Sequence, residues 1–298
     1  MRLEPNLTSV ALVVLLASLA APGRSDDLAE KGREVFKNNQ RAIVTVQIVI
    51  KTKFSVPGMG GQSNESKQDL TGTVVDASGL TVLALSACEP GDMIQSIMAG
   101  ISGEDGDSGV PFKMDTELSD VKILLDDGTE MPAEVVLRDR DLDLAFIRPK
   151  TRPPAPMPAI DLAKSARAQV LDQIITLNRL GEAAGRAYAV SVDGITAVVL
   201  KPRLFYVPEG AMTSTTMGSP AFTLDGNLLG VFVTRTARAK GSGGFGTLIK
   251  LLSFRPENLN LTAIILPADD ILKAAKQAPE AKGEGDKKEE TKESKEKK

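Results

Sequence analysis

Histidine and tryptophan are both missing from this 298-residue chain, and cysteine occurs once. Without an imidazole there can be no Ser-His-Asp triad, no Cys-His dyad and no His-ligated zinc. The commonest general base near neutral pH is therefore absent. Cys88 alone cannot close an intrachain disulfide or complete a multi-cysteine metal motif. Neither sign of charge dominates: 36 Lys and Arg stand against 39 Asp and Glu, for a net charge of -3. The two signs are interspersed, so no basic face points to nucleic acid. Aromatic residues are sparse at 4%, yet the apolar content of 42% is that of a globular protein, and the length suits one large domain or two small ones.

The two ends are not expected to belong to the fold. Arg2 precedes an apolar stretch from Leu7 to Ala21, followed by small residues and Pro22-Gly23. The stretch is shorter than the ~20 residues a membrane span needs, and it reads as an export signal over residues 1–25, cleaved between Ala20 and Asp26. An uncleaved anchor is the alternative. At the other end, residues 279–298 run into KKEETKESKEKK with almost nothing apolar. Such a segment buries too little to offset its chain entropy and is expected to be a disordered charged tail.

Between the ends, short β-branched runs alternate with turn chemistry. An amphipathic opening, SDDLAEKGREVFKNNQ, predicts a helix capped by Ser25 or Asp26. Strands are predicted at 42–50, 70–79, 80–87, 120–128, 133–139 and 142–149, punctuated by Ser78-Gly79, Asp127-Gly128 and Pro132. A Pro-rich connector at 151–164 leads to a second set at 170–178, 187–200, 219–234 and 261–267. Many short strands split by such a bridge predict two all-β barrels or sandwiches rather than a parallel sheet. Residues 54–68 and 89–117 are rich in Gly, Ser and acids and read as long loops.

The order of these segments resembles the HtrA (Deg) type of trypsin-like serine protease over most of residues 30–275. The likeness is carried by DGTEMPAEVVLRDRDLDLAFIRP (127–149), GTVVDASGLTVLALSA (72–87), FYVPEGAMTSTTMGSPAFTLDGNLLGV (205–231) and LTAIILPADDILKAAKQ (261–277). The resemblance implies an all-β fold of two six-stranded antiparallel barrels with a short N-terminal and a C-terminal helix. The first barrel, with its helix, would take residues 26–150, and the second, with the C-terminal helix, 165–278. No PDZ-type domain is expected between that helix and the tail.

Carried across position by position, the resemblance places the general base on Ser86, the orienting acid on Asp143, the nucleophile on Met217 and the oxyanion-hole glycine on Thr215. Of the triad, only the acid keeps its chemistry. A hydroxyl does not accept a proton at neutral pH, and a thioether has no proton to lose, so Met217 cannot form an acyl-enzyme. Thr215 is β-branched and disfavours the positive φ that glycine allows. Ser219 replaces a further glycine.

Other candidates are weighed against plainer readings. Asp143 without an imidazole reads as a strand-end carboxylate that accepts backbone N–H groups and holds the barrel junction. Cys88 reads as a buried structural thiol, because nothing lowers its pKa. Ser214 and Ser219 are hydroxyls without a base. Glu104, Asp105 and Asp107 do not match a calcium loop, so no metal and no cofactor is expected. The apolar piece 93–101 could form a short helix over the cleft.

The expectation is therefore an exported, non-catalytic protease homologue that binds a peptide or protein partner, as a monomer or an oligomer. It should have no role on nucleic acid and no stable membrane insertion once its signal is removed. A peptide would lie along Gly230, Val231, Phe232, Val233 and Thr234. A residual hydrolase with another base, and an envelope component acting through its surface loops, are the alternatives.

Overall fold

In the computed structural model, the described residues are 24–56, 60–91, 113–210, 215–236 and 261–280. The expected export signal before Arg24, the 93–101 piece, the acidic cluster 104–107, Ser214 and the residues beyond 280 lie outside them.

Twelve strands close into two antiparallel barrels. The first joins β1 (Ile43–Val56), β2 (Gly60–Val74), β3 (Thr81–Ala84), β4 (Lys113–Leu124), β5 (Glu130–Asp139) and β6 (Leu144–Pro149) in the order β1-β2-β3-β6-β5-β4. The second joins β7 (Gln173–Arg179), β8 (Tyr188–Val199), β9 (Phe205–Pro208), β10 (Pro220–Thr223), β11 (Leu228–Thr236) and β12 (Leu261–Pro267) in the order β10-β11-β12-β9-β8-β7. Among the described residues, three α-helices flank them: α1 (Arg24–Asn39), the single turn α2 (Leu85–Cys88) and α3 (Ala268–Ala275). Helix α1 starts one residue before the expected Ser25 cap, within the ordinary latitude of helix ends.

The alternation in the sequence explains the layering. Along β1, Val44, Val46, Ile48 and Ile50 point into the first barrel, where they meet Leu70, Leu83, Ile123, Ala145 and Ile147. Residues of the opposite parity on the same strand, Ile43, Thr45 and Gln47, are also buried. Strand β6 is buried along its whole length because both its faces are covered. Ala145 and Ile147 face the barrel, while Leu144 and Phe146 face a cluster shared with the second barrel and with α1 and α3. Burying each such side chain stabilises the fold by roughly 1.5–3 kcal/mol. The second barrel closes around Ile174, Ile195, Tyr206, Leu229, Phe232 and Ile265. Helix α3 seats Ala268, Ile271 and Ala274, spaced three apart, on the shared cluster.

Three expectations change. Residues 113–117, read as the end of the 89–117 loop, belong to β4 and pair with β1. Residues 54–56 and 60–68 are not a loop: β1 and β2 pair without a break from Ile43↔Thr73 to Val56↔Gly60, and β4 follows the other side of β1 out to Ser55↔Lys113. The polar stretch SNESKQD is held by backbone pairing rather than by a buried face, so hydrophobic alternation does not mark it. The expected strand at 80–87 ends at Ala84 and becomes α2. The connector crosses the first barrel on backbone bonds, Met157 N to Ala77 O at 3.0 Å and Ile160 N to Val74 O at 2.8 Å. Gly79 closes the turn beneath it with φ of 90°, where a Cβ would press on Met157.

Candidate functional site

Asp143 ends the turn between β5 and β6 with φ of 57°, a left-handed conformation that Asp tolerates better than most residues. There, its backbone and side chain both serve the N-terminus of α2. The Asp143 carbonyl accepts from Leu85 N at 3.0 Å, and its Oδ1 accepts from Ser86 N at 2.7 Å. The preceding residue, Ala84, gives no side-chain cap, so Asp143 satisfies the orphan N–H groups from outside the helix. Oδ2 takes two further bonds, from Ser86 Oγ at 2.8 Å and from Thr234 N at 2.7 Å. Because Thr234 belongs to β11, this carboxylate ties the two barrels together. Burial pushes its pKa up, against the pull of the Thr234 and Ser86 bonds.

The cluster continues away from the carboxylate. Ser86 Oγ lies 3.1 Å from Thr234 Oγ1, and Thr234 Oγ1 lies 3.6 Å from the Met217 sulfur. Ser86, Asp143 and Met217, expected together from sequence, are thus brought to one place, with Thr234 as the link between them. Thr234 was expected only as an edge residue. Its position 17 residues after Met217 is the one sequence signal for it.

Met217 rides on a loop anchored to the first barrel. Thr73 Oγ1 donates to Gly218 O at 2.8 Å, Thr71 Oγ1 donates to Thr215 O at 2.6 Å, and Gly218 N donates to Phe232 O at 2.9 Å. Gly218 has φ of 84°, and a Cβ there would stand 2.3 Å from the Thr71 carbonyl, so only glycine fits. Among the described non-glycine residues, Asp143, Leu171 and Arg186 have positive φ; Thr215 is not one of them, so its backbone does not take the turn that glycine would permit. Thr71 and Thr73 escaped the sequence reading because their alternation with Leu70, Gly72 and Val74 marks only a strand.

Strand β11 corrects the expected peptide edge. Gly230 and Val231 lie between β10 (Ala221, Pro220) and β12 (Pro267, Leu266). Phe232 N donates to Ser219 O at 2.9 Å and its carbonyl is taken by Gly218. In a closed barrel these residues are interior to the sheet, and Gly230, Val231, Phe232 and Val233 are buried. Among the described residues, β10 pairs with β11 as far as Val231, and further along the strand the Thr234 N–H is held by Asp143.

The remaining candidates fall out plainly. Cys88 is buried in the first barrel's core, and burial, with Glu89 and Asp143 nearby, pushes its thiol far above the usual range. Ser219 is fully buried with its hydroxyl 3.3 Å from Thr215 O. Among the described residues, no group of three or more Cys, Asp or Glu is placed to hold a metal ion, and no helix is long and apolar enough to cross a membrane.

Two closed six-stranded barrels, with a carboxylate at the end of a first-barrel strand bonded across to the second barrel, define the trypsin-like architecture. The trypsin-like peptidase domain profile matches residues 70–231, more than half of the chain. This chain belongs to the trypsin-like peptidase family. Among solved structures, it is similar to the HtrA-type protease AlgW with tripeptide, at 14% identity and a TM-score of 0.47. That match covers 82% of this chain and 62% of AlgW, so the chain spans less than two thirds of that protein. No curated protein matches it.

Proposed function

We propose that this chain is a non-catalytic trypsin-like peptidase homologue that is exported to the cell envelope and holds an extended segment of a peptide or protein partner. One observation carries the reading: the group bonded to Asp143 is the Ser86 hydroxyl, at 2.8 Å, and beyond it stands the Met217 thioether. A hydroxyl beside a carboxylate donates rather than accepts, so Asp143 has no imidazole to orient. A thioether beyond it cannot attack a carbonyl. The ionisable group of the cluster is a carboxylate whose raised pKa weakens its tendency to stay charged, not a base matched to neutral pH.

The binding mode follows from backbone parity. Phe232 directs both its N–H and its carbonyl away from β12, and residues two apart in a strand point the same way. The Thr234 carbonyl and the backbone of Thr236 therefore face outward beyond the reach of Ser219, and an extended peptide can add there as an antiparallel strand. This moves the expected contact from 230–234 to 234–236. Met217, partly exposed beside it, supplies an adaptable apolar contact. Export rests on the short apolar leader between Leu7 and Ala21.

A fluorophosphonate probe together with casein and short-peptide assays tests the catalytic half. No labelling and no turnover above background are expected; labelling lost on Ser86→Ala or Ser219→Ala overturns the reading. Amide exchange in the presence of an extended-peptide library tests the binding half. Protection at 234–236 supports it, and no peptide-dependent protection there removes it.

A further inference from the structure

The first barrel carries an arm that neither its core nor the site requires. Strands β2, β1 and β4 continue together past the barrel as a three-stranded sheet, paired out to Val56↔Gly60 on one side and Ser55↔Lys113 on the other. β3 meets β2 only at Thr73 and Val74. Asp69 is fastened by Arg186 at 2.6 Å and by Gln47 at 3.1 Å. Between Gly60 and Gln68 the outer edge of β2 has no strand partner among the described residues, and nine successive residues of unpaired edge are a template for another strand.

The charges along that edge specify which strand. The sequence around Ser66 reads Asn64-Glu65-Ser66-Lys67-Gln68. Edge charges of one sign keep copies apart, whereas here opposite signs flank a small central residue. If a second β2 runs antiparallel with Ser66 facing Ser66, Glu65 of each copy lies opposite Lys67 of the other, and Asn64 lies opposite Gln68. A parallel pairing in register would set Glu65 against Glu65 instead. Within one chain, Lys51 already stands between Glu117 on β4 and Glu65 on β2, with its Nζ 3.8 Å from Glu65. Lys67 of the second copy continues this row as an alternation of signs across the sheet.

We infer that this face takes a second copy of the same chain, joining two arms edge to edge into one six-stranded antiparallel sheet about a two-fold axis at Ser66. Such an isologous contact uses the same patch on both partners and closes as a dimer. It is small compared with a permanent interface, and its ion pairs are exposed, so it is reversible and weakened by salt.

Sedimentation of the purified full-length protein over a concentration series tests this. The expected result is a doubling of mass at high concentration and low salt that is lost at high salt. Glu65→Lys alone or Lys67→Glu alone sets like charges opposite each other twice and should keep the protein monomeric. The double exchange restores the complementarity and should restore the dimer. Ser66→Cys gives an independent reading. Directly opposed residues in an antiparallel pair have Cα atoms about 4.5–5.5 Å apart, within disulfide reach. With Cys88 buried, mild oxidation should link two chains through position 66. A protein monomeric throughout, a trimer, a dimer indifferent to the single reversals or not recovered by the double exchange, or a Ser66→Cys variant that stays unlinked overturns the inference.

Discussion

Two polar clusters cross the junction between the barrels, and they are built on opposite principles. At the mouth, the Asp143 carboxylate takes its three bonds from neutral donors of Ser86 and Thr234 and, among the described residues, from no cation, and burial raises its pKa. Elsewhere along the junction, Arg179 is buried beneath Tyr188, 3.9 Å from the ring centroid, with its Nη1 2.8 Å from Asp126 and its Nε 3.3 Å from Thr45. Phe36 of α1 packs edge-on against the same Tyr188. The second cluster is what this chain makes when a junction only needs to hold: a planar cation, a carboxylate and an aromatic face in mutual contact. The first holds the junction with a buried charge that lacks a counter-charge, which is a costly way to do the same work. That contrast favours the proposed reading of the mouth, in which Asp143 has no imidazole to orient.

The largest effect should come from removing the carboxylate. Asp143→Ala strips the acceptor from Ser86 N, Ser86 Oγ and Thr234 N, and places Ala at φ of 57°. Each stranded donor costs about 1–3 kcal/mol when water cannot reach it. Because the cluster is partly open to solvent, a loss of about 3 kcal/mol in urea unfolding is expected. A loss under about 1 kcal/mol would mean that Asp143 is not the tie at the mouth.

Arg179→Met should follow at about 2 kcal/mol. Breaking a buried ion pair costs more, but the Asp126 side chain is 52% exposed and can rehydrate. Adding Asp126→Asn to Arg179→Met should recover part of the loss in a double-mutant cycle, because the two residues are coupled. Strict additivity would make the Arg179 cluster incidental and dissolve the comparison.

How far this architecture could be read in advance depended on what holds each piece. Strands with a buried face declared themselves: β1 through Val44, Val46 and Ile48, and β6 through its unbroken apolar run. The polar half of β2 did not, because backbone pairing leaves no trace in side-chain alternation. The short β9 was hidden within a block read for its site residues. At the site, Ser86, Asp143 and Met217 could be located from family spacing, and the structure gathers them. Gly230 and Val231, expected at a free edge, lie inside the sheet instead, because which backbone groups remain free depends on barrel closure rather than on β-branched composition. The Arg179 cluster was not legible at all. Arg179 and Tyr188 face each other across the β7–β8 hairpin, but Asp126 lies 53 residues before Arg179 and nothing local marks it as their neighbour.

Asp143→Asn sharpens the comparison through pH. A carboxylate with a raised folded pKa binds its proton more tightly in the native state than in the unfolded chain. Its contribution is therefore complete below the unfolded value near 3.8 and is lost as pH rises through the folded value. Subtracting the Asn variant cancels the groups of opposite sign, such as Asp76, which is held below its usual value. The wild-type stability minus the Asn stability should thus fall as pH rises from about 4 and level off above the folded pKa. A difference that grows with pH would mean that the Ser86 and Thr234 bonds outweigh burial.

The smallest effect is expected at Met217, and it tests whether the mouth depends on its outermost member. The sulfur is 3.6 Å from Thr234 Oγ1, but that hydroxyl also lies 3.1 Å from Ser86 Oγ. Ser86 gives its own proton to Asp143, so the Ser86 oxygen is free to accept from Thr234. Met217→Leu conserves volume and removes only a weak acceptor for which a better one is already in place. A change under about 1 kcal/mol in unfolding free energy is expected. Thr234→Val, in contrast, deletes the middle of the relay and leaves Ser86 Oγ with one partner fewer, for about 1 kcal/mol. If Met217→Leu costs as much as Thr234→Val, the thioether is an integral part of the cluster. The mouth would then be a packed structural joint like that around Arg179, and the peptide-binding reading would lose its adaptable contact.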